Sequence, residues 1–347
     1  MATRGTLVVL ATALITLTAC ASPVASPSPT GTAAVVPTRP VEFVISTAPG
    51  GGSDTYARIW QGIIETQKLS PQPVQPLNKE GASGAVAFQY VFEKKGDMHY
   101  IMVTLNSFFT TIITQKTPYK ATDFTPIANL ALDPFFLWVN EECATTAIPA
   151  CPGSPWTTAG DFIKAAKDNS LTVAGTGSKQ EDEALFRRIE DTMKTKPFTY
   201  IVQQAGSNVA GAVAGRQGGV VASVNNPSEG ISLFSANPKK MRPLCAFTPA
   251  SPTKGVYNGL ATCKSQGIPI DDYFIMRAVV GPPELTPQQQ AFWVDVFKKV
   301  ADSAEWKAKV DEFFLTPDFR TGLEFRQFLL QYQQLHQDIA TKFKWVS

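Results

Sequence analysis

Apolar and polar residues follow two alternating periods along most of this chain. Short apolar, β-branched runs predict strands, and between them apolar residues recur every three or four positions, which predicts amphipathic helices. The predicted strands are Val41–Ser46, Val74–Pro76, Tyr100–Leu105, Phe135–Val139, Leu171–Ala174, Thr199–Val202, Val220–Val224 and Met241–Phe247. The predicted helices are Asp54–Gln67, Gly84–Glu93, Thr158–Lys167, Gln180–Met193 and Asn208–Ala214. Such alternation predicts an α/β fold with mostly parallel sheets.

The last sixty residues have a different pattern. From Thr286 onward apolar residues keep a helical spacing, and Pro287 suits the first turn of a helix. Two further helices are predicted near Ser303–Phe314 and Gly322–Phe343. The aromatic residues of this tail are interpreted as core rather than as a binding surface.

The N-terminal segment predicts export. Arg4 precedes an apolar stretch, Leu7 to Leu17, that is too short for a membrane-spanning helix. It ends in Leu-Thr-Ala-Cys, which resembles a bacterial lipobox. Residues 1–19 are therefore expected to be a lipoprotein signal peptide, Cys20 the lipidated residue, and residues 20–39, rich in Ala, Ser, Pro and Thr, a flexible tether. An ordinary secretory signal with a stray cysteine is the alternative.

Composition narrows the class of protein. The 31 basic and 29 acidic residues nearly balance, and no basic stripe predicts nucleic-acid binding. Besides Cys20, four cysteines remain in an exported chain, which favours two disulfides over a metal site. Three pairings are possible, and pairing of sequence neighbours is the simplest. The four are Cys143, Cys151, Cys245 and Cys263.

A glycine-rich turn joins the first predicted strand to the first helix. Three consecutive glycines, Gly50 to Gly52, separate the apolar run ending at Ile45 from the helical pattern beginning at Asp54. Glycine permits positive φ and lets a ligand approach the main chain. The unpaired N–H groups and the dipole of a helix N-terminus favour an anion. The turn therefore predicts an anion site built from the main chain.

Similar loops of small and polar residues follow other predicted strands. They lie at residues 78–84, at Asn106-Ser107, at residues 174–180 and at residues 224–229. In open α/β sheets, ligands bind outside the carboxyl ends of the strands. Each loop alone fits ordinary turn chemistry, but together they predict one binding cleft lined by N–H donors and hydroxyls. With charges nearly balanced, the countercharge for an anion is expected mainly from main-chain dipoles.

Catalytic signatures are weak. The sequence has no G-x-x-x-x-G-K-[ST] loop and no G-x-S-x-G elbow, and its glycines do not form a dinucleotide fingerprint. His99 and His336 are the only histidines and are interpreted as structural, and Glu181 and Asp182 as decoration of a helix first turn. No enzyme activity, cofactor or metal ion is expected.

Several of these segments together resemble one known family. Pro49 to Asp54 is similar to the P-G-G-x-x-D loop of the solute-binding proteins of tripartite tricarboxylate transporters, also called Bug-type receptors. Residues 81–84 resemble that family's second glycine loop, and residues 123–127 its D-F-x-P-[IV] segment. Residues 175–182, 224–229, 242–245 and 262–264 resemble a tricarboxylate-receptor-like branch, and the last two bring a Cys245–Cys263 disulfide with them. The resemblance runs from Val41 to His336.

The resemblance implies a two-lobed receptor of the periplasmic-binding-protein type (type II, Venus flytrap), closing on a small organic carboxylate. Lobe one would be residues 40–136 plus 274–347, and lobe two residues 137–273. The protein would be an extracytoplasmic, membrane-anchored lipoprotein that delivers the solute to integral-membrane transporter subunits. A receptor that senses the solute for a membrane signalling partner is the alternative left open.

The resemblance also implies the ligand contacts. The lobe-one contacts would be Thr47, Ala48, Gly51, Gly52, Ser53, Asp54, Gly81, Ala82, Ser83, Gly84, Asn106 and Ser107. The lobe-two contacts would be Thr176, Ser178, Lys179, Gln180, Asn225 and Asn226. Several relatives have an aspartate near Asn225, so the neutral Asn225-Asn226 pair here favours a citrate-like tricarboxylate, with dicarboxylates and aromatic acids as the alternatives. Gln203 to Gly206 replaces the family's Lys-Gly-Gly, which leaves the solute open.

Overall fold

The computed structural model describes residues 1–3 and 35–346. The chain divides into two units, residues 1–34 and 35–347, and the fold below is that of the second unit. The expected signal peptide, the lipidated Cys20 and the first part of the tether lie outside the described residues. Among the described residues, no helix is both long and apolar enough to cross a bilayer.

Residues 35–346 alternate strands and helices. The strands are β1 Val41–Ile45, β2 Val74–Asn78, β3 Tyr100–Thr104, β4 Thr125–Asp133, β5 Phe136–Asn140, β6 Thr172–Thr176, β7 Thr199–Gln203, β8 Ala222–Asn225, β9 Met241–Ala246, β10 Ile275–Gly281 and β11 Thr316–Thr321. The helices are α1 Gly52–Thr66, α2 Ala85–Phe92, α3 Ser107–Thr114, α4 Glu141–Thr145, α5 Ala159–Asp168, α6 Glu181–Met193, α7 Gly206–Gly215, α8 Pro227–Phe234, α9 Pro287–Asp302, α10 Ala304–Glu312 and α11 Gly322–Lys342. Every strand and helix predicted from the sequence is present, with ends shifted by a few residues.

The strands form two sheets. The first sheet has the order β11-β4-β10-β3-β1-β2, and the second has the order β7-β6-β8-β5-β9. The prediction of mostly parallel sheets is wrong: β1 pairs in parallel with β2 and β3, and β6 with β7 and β8, but the other pairings are antiparallel. The chain crosses from one sheet to the other through β4–β5 and returns through β9–β10. These crossing strands run against the parallel βα units, so both sheets are mixed.

The first βα unit shows why the apolar pattern was informative. β1 is buried on both faces, and Val41, Phe43 and Ile45 are fully buried. On α1 the buried residues recur at helical spacing, with Trp60 packed edge-on against Trp306 at 5.5 Å between ring centroids. Burying a large apolar side chain contributes about 1.5–3 kcal/mol. This packing fixes where α1 begins, and so places its N-terminus at the end of β1.

Three strands and three helices were missed by sequence analysis. β4 and β10 contain buried polar residues, among them Asn129, Asp133 and Arg277, which interrupt the apolar runs. β11 is a polar edge strand. α3 is rich in aromatic and β-branched residues, while α4 and α8 are short. Local patterns are ambiguous for segments of this kind.

The last helix contributes to both hydrophobic cores. Near its start, Phe325 and Phe328 pack in the core on one face of the first sheet. Near its end, Ile339 and Ala340 pack in the core of the second sheet, together with Trp345. The sequence-based division had assigned this whole segment to lobe one.

Both disulfides predicted from neighbouring cysteines are confirmed. Cys143 in α4 is bonded to Cys151, and Cys245 in β9 is bonded to Cys263. All four residues are fully buried. The two cross-links therefore belong to the core of the second sheet rather than to its surface.

Candidate functional site

A cleft with a volume of about 720 Å³ lies between the two sheets. Loops that follow β1, β2 and β3 of the first sheet line one side, and loops that follow β6, β7 and β8 of the second sheet line the other. Thirteen of the eighteen predicted contact residues line it: Thr47, Ala48, Gly51, Gly52, Gly81, Ala82, Ser83, Gly84, Ser107, Thr176, Ser178, Gln180 and Asn226. The other five, Ser53, Asp54, Asn106, Lys179 and Asn225, lie behind the cleft wall or point elsewhere.

The glycine turn after β1 is held from behind by Asp54. This carboxylate accepts hydrogen bonds from the Gly50 N–H at 2.9 Å and from Asn78 at 3.0 Å, and it pairs with Arg58. Burial would raise the pKa of Asp54, but the bonds from Arg58, Gly50 and Asn78 outweigh it and lower that pKa. Asp54 therefore stabilises the turn as a charged group.

Only one of the three glycines in this turn has the positive φ that glycine permits. Gly50 has the positive φ of +81°, whereas Gly51 is extended and Gly52 already starts α1. Gly52 matters for space instead, because an added Cβ would lie 3.2 Å from Nη1 of Arg277. The hydroxyls of Thr47 and Ser53 are buried without a hydrogen-bond partner among the described residues. Of these two residues only Thr47 lines the cleft, so the turn presents a helix N-terminus and Thr47 to it.

The second glycine loop has four consecutive residues with positive φ. The values are +127° at Gly81, +47° at Ala82, +55° at Ser83 and +95° at Gly84. Non-glycine residues rarely adopt this conformation, so the surrounding structure must hold it. Side chains at the end of α3 do so: Gln115, directly after the helix, donates to the Ala82 carbonyl, and Thr111 in the helix donates to the Ser83 carbonyl, both at 2.8 Å. The Ala82 C=O and the Ser83 N–H belong to one peptide group, and in a trans peptide these two bonds point in opposite directions. The Ser83 N–H therefore points away from α3.

Ser107 and Glu181 join the two sides of the cleft. Ser107 is the first residue of α3, and its main-chain N–H donates to the carboxylate of Glu181 at the start of α6. The neighbouring Asn106 does not line the cleft. Its side chain donates to the Phe274 carbonyl at 2.7 Å and accepts from the Met276 N–H at 3.0 Å, so it fixes the start of β10.

The loop after β6 is shaped by carboxylates of α6. The Thr176 N–H donates to Asp182 and the Lys179 N–H to Glu183, both at 2.7 Å. This leaves Thr176, Ser178 and Gln180 on the cleft wall. The ammonium of Lys179 instead lies 3.4 Å from the Trp345 carbonyl, beyond the cleft lining.

The two asparagines at the end of β8, Asn225 within the strand and Asn226 just after it, have separate roles. Asn225 is almost fully buried and donates to the Gly206 carbonyl at 3.0 Å and to Glu229 at 3.2 Å. Asn226 lines the cleft, donates to the Pro134 carbonyl at 2.9 Å, and accepts from Arg277 at 3.4 Å. Asn225 thus supports the loop, while Asn226 links it to the first sheet.

Arg277 was not found by sequence reasoning, and among the described residues it is the one basic residue that lines the cleft. It lines the cleft from β10, is 4% exposed, and pairs with Asp133 through two nitrogens at 2.5 and 3.0 Å. Its guanidinium also lies 4.4 Å from the ring centroid of Tyr56, whose hydroxyl donates to Asp133 at 3.0 Å. Desolvation would lower the pKa of Arg277, but Tyr56 and Asp133 raise it overall. The cation is therefore permanent and already paired.

Three carboxyl groups of the second sheet's helices also line the cleft. Glu181 and Asp182 begin α6, as the sequence predicted, and Glu229 lies in α8. Burial raises the pKa of Glu181 and raises that of Asp182 well above its usual value. Burial and the nearby Asp133 raise the pKa of Glu229 to about 7. Burial thus favours the neutral, protonated forms of these three carboxyl groups, which the balanced composition did not indicate.

The histidines lie elsewhere. His336 in α11 is fully buried, with Nε2 3.2 Å from the Tyr273 hydroxyl and Nδ1 2.7 Å from the Tyr332 carbonyl. Burial lowers the pKa of His336 to about 4. His99 contacts Thr38 and Asp97 near the start of β3. Within the described ranges, no cluster of three or more His, Cys, Asp or Glu residues is arranged to hold a metal ion.

Comparison with known proteins gives a consistent result. No protein-family model matches the chain. A UPF0065 protein of Bordetella pertussis is 28% identical over 135 residues, and the match spans 38% of this chain and 38% of that protein. The chain thus covers well under two thirds of this curated relative.

Solved structures match over much greater lengths. A TctC solute-binding protein from Polaromonas has a TM-score of 0.68 at 21% identity, covering 89% of this chain and 100% of that chain. MatC from Rhodopseudomonas palustris, solved with malate, has a TM-score of 0.72 at 18% identity, covering 87% and 99%. A second R. palustris protein, solved with adipate, has a TM-score of 0.71 at 20% identity, covering 88% and 97%. The chain therefore has the two-lobed α/β fold that these solute-binding proteins share, as the resemblance of the sequence implied.

Proposed function

We propose that this protein is an extracytoplasmic receptor that binds a small organic carboxylate in the cleft between its two sheets. The observation that carries the proposal is the convergence of the two glycine loops and the loops after β3, β6 and β8 on one cavity of about 720 Å³. The similar proteins solved with malate and adipate support a carboxylate as the solute. The protein is a binding protein rather than an enzyme.

The first sheet supplies the anion site in this proposal. The N-terminus of α1 offers main-chain N–H groups and the positive end of a helix dipole. The hydroxyl of Thr47, which lines the cleft, has no partner among the described residues, and the Ser83 N–H points away from α3. A ligand carboxylate placed there would receive several hydrogen bonds without a basic side chain.

The lobes follow the two sheets. We assign residues 40–136 and 274–347 to lobe one and residues 137–273 to lobe two, with the end of α11 packed on the second lobe's core. Closure of the lobes would bring Thr176, Ser178, Gln180 and Asn226 onto the distal end of the solute. The bond between Ser107 and Glu181 is a contact of this closed arrangement.

The direct test is a thermal-shift screen of the purified protein against organic acids. A ligand at 100 times its Kd stabilises the folded state by about 2.7 kcal/mol. We expect at least one carboxylate to raise the melting temperature, and its primary amide, which lacks the charge, to have no effect. If no carboxylate stabilises the protein, or if the amide works as well, the proposal is wrong.

Attachment and delivery complete the proposal. Cys20 would carry a lipid that anchors the receptor to a membrane, from which it delivers the solute to the integral subunits of a transporter. Changing Cys20 to Ala should release the protein into the soluble fraction, because the lipid would be its only attachment. Fractionation after a salt wash measures this, and a variant that still sediments with membranes would contradict the anchor.

A further inference from the structure

The turn between α10 and β11 holds a phenylalanine in a backbone conformation that favours glycine. Phe314, two residues after the end of α10, has a φ of +58°. Its N–H donates to the Asp311 carbonyl at 3.4 Å, and the Leu315 N–H donates to the Val310 carbonyl at 2.9 Å. This pair of bonds marks the kind of helix end at which glycine usually takes the left-handed position. Since a bulky residue is disfavoured there, a contact of its side chain is expected to offset the strain.

The left-handed turn directs neighbouring aromatic side chains into two different cores. Phe313 packs in a core of the first sheet, edge-on to Tyr56 of α1 at 5.9 Å between ring centroids. Phe314 packs instead in a core of the second sheet, where its ring centroid lies 4.6 Å from that of Tyr257 at an interplanar angle of 66°. Leu315 returns to the core of the first sheet. Of these three consecutive residues, Phe314 alone crosses to the other half of the protein.

The second sheet's half provides a close-fitting socket for this ring. Gly255 lies directly against it, because an added Cβ would be 2.6 Å from Cε1 of Phe314. Tyr257, which is 2% exposed, forms the wall of the socket. An ion pair between Lys254 and Asp311 at 3.4 Å also joins the two halves, but both side chains are exposed and such pairs contribute little. The aromatic contact is therefore the main interaction at this place.

The contact is connected to both walls of the cleft. The Tyr257 hydroxyl donates to the Pro227 carbonyl at 2.8 Å, and Pro227 directly follows Asn226, which lines the cleft. On the other side, the residue before Phe314 contacts Tyr56 in α1, the helix whose N-terminus forms part of the first-sheet wall. Neither Phe314 nor Tyr257 is among the described residues that line the cavity. A solute in the cleft would therefore leave this contact in place.

We propose that Phe314 is a clasp that holds the two halves of the protein together and so favours the closed cleft, whether or not a solute is bound. A contact that is made in only one of two arrangements shifts their equilibrium toward that arrangement. With more closed molecules present before binding, less of the solute's binding free energy is needed for closure. Phe314 is thus a positioning residue that acts through Tyr257 rather than by touching the solute. The inference rests on the proposed function, because it treats the cavity as a cleft that closes on a solute.

Small-angle X-ray scattering of the purified protein without any solute tests the clasp, because opening of the cleft increases the radius of gyration. Phe314→Gly removes the ring and supplies the residue that this kind of helix end usually has, so the fold should persist. Gly255→Ala keeps the ring but fills its socket. We expect each variant to have a larger radius of gyration than the unaltered protein, with the ratio of closed to open molecules lowered about fivefold or more.

A second glycine of the same loop provides the matched control. Gly259 also has a positive φ, of +78°, but an added Cβ there has nothing within 4 Å. Gly259→Ala therefore imposes a similar backbone strain without touching the ring, and it should leave the radius of gyration unchanged. In the double variant, Gly255→Ala should add nothing to Phe314→Gly, because no ring is left to displace. Melting temperatures show that each variant is folded.

The outcomes separate the clasp from a merely structural role and from the proposed function. A radius of gyration that stays unchanged in Phe314→Gly overturns the clasp, even if the melting temperature falls. Expansion in Gly259→Ala, or a further expansion in the double variant, overturns it as well. If Gly255→Ala does not fold, Phe314→Gly decides alone. Since no solute is used, failure of the clasp leaves the carboxylate receptor standing, whereas failure of the thermal-shift screen removes the receptor without changing the scattering result.

Discussion

The two walls of the cleft are built from similar βα loops but differ at their helix N-termini. On the first-sheet wall, the acid of the α1 first turn is paired with Arg58 and does not line the cleft, so the main chain faces the cavity. On the second-sheet wall, Glu181, Asp182 and Glu229 themselves line the cavity. The difference teaches that a glycine loop at a helix N-terminus is an anion site only while no carboxyl group of the protein occupies it.

The largest effect is expected where the first wall has least space. Gly52→Val would place a branched side chain against the guanidinium of Arg277, which Asp133 and Tyr56 hold in place. We expect titration with the best ligand to show no binding. Gly62→Val is the matched control, since Gly62 lies in the same helix and a Cβ there has open space. Full affinity in Gly52→Val would contradict the claim that the first-sheet wall binds the ligand.

Arg277 links the two walls, and its removal should affect folding most. Arg277→Met leaves the buried Asp133 without its cation, and breaking such a pair costs about 3–5 kcal/mol. Urea unfolding measures the loss. The double change Arg277→Met with Asp133→Leu should recover most of it, because no buried charge is then left unpaired. A double variant as unstable as Arg277→Met alone would contradict the pairing.

The second wall should show its buried carboxyl groups in the pH dependence of stability. The folded-state pKa of Glu229 is about 7, above its unfolded value, so the folded state holds an extra proton between about pH 4.5 and 7. Its contribution to stability is therefore present at low pH and lost as the pH rises through this window. We expect the difference in the free energy of unfolding between Glu229→Gln and the native protein to shift in favour of the variant by about 1–3 kcal/mol from pH 4.5 to pH 8. An unchanged difference across the window would argue against a buried Glu229 carboxyl.

Single polar side chains of the second wall should matter least. Thr176→Ala removes one hydroxyl from the lining and should weaken binding by about 0.5–3 kcal/mol. Lys179→Met should change affinity by less than about 0.5 kcal/mol, as for a substitution away from special features, because its ammonium is near the Trp345 carbonyl rather than in the cleft. Isothermal titration of both variants with the best ligand measures which substitution lowers the affinity more. Complete loss in Lys179→Met would mean that a basic side chain holds the anion.

The sequence predicted the parts of the fold whose pattern is local. Strands such as β1 and β6 are apolar runs that end at glycine or small residues, and α1 has a regular buried stripe. β4 and β10 were missed because Asp133 and Arg277 look like surface residues in the sequence. They are buried only because they pair with each other across 144 positions.

The candidate site was likewise predicted only where its signal is local in the sequence. The glycine loops were found because their residue types are unusual at a strand end. The carboxyl groups of the second wall were missed because acids in a helix first turn are common on surfaces, and nothing local shows that Glu181 and Glu229 face a cavity. Whether a first-turn acid turns inward, as Asp182 does, or pairs behind the wall, as Asp54 does, depends on distant partners.

The most direct measurement is a crystal structure of the protein with the tightest ligand from the screen. We expect a carboxylate of that ligand within about 2.7–3.2 Å of main-chain nitrogens at the start of α1 and of the Ser83 nitrogen. No carboxylate should lie against Glu181 or Glu229. A ligand carboxylate bound instead to the loop after β6, with the α1 N-terminus unoccupied, would contradict the account.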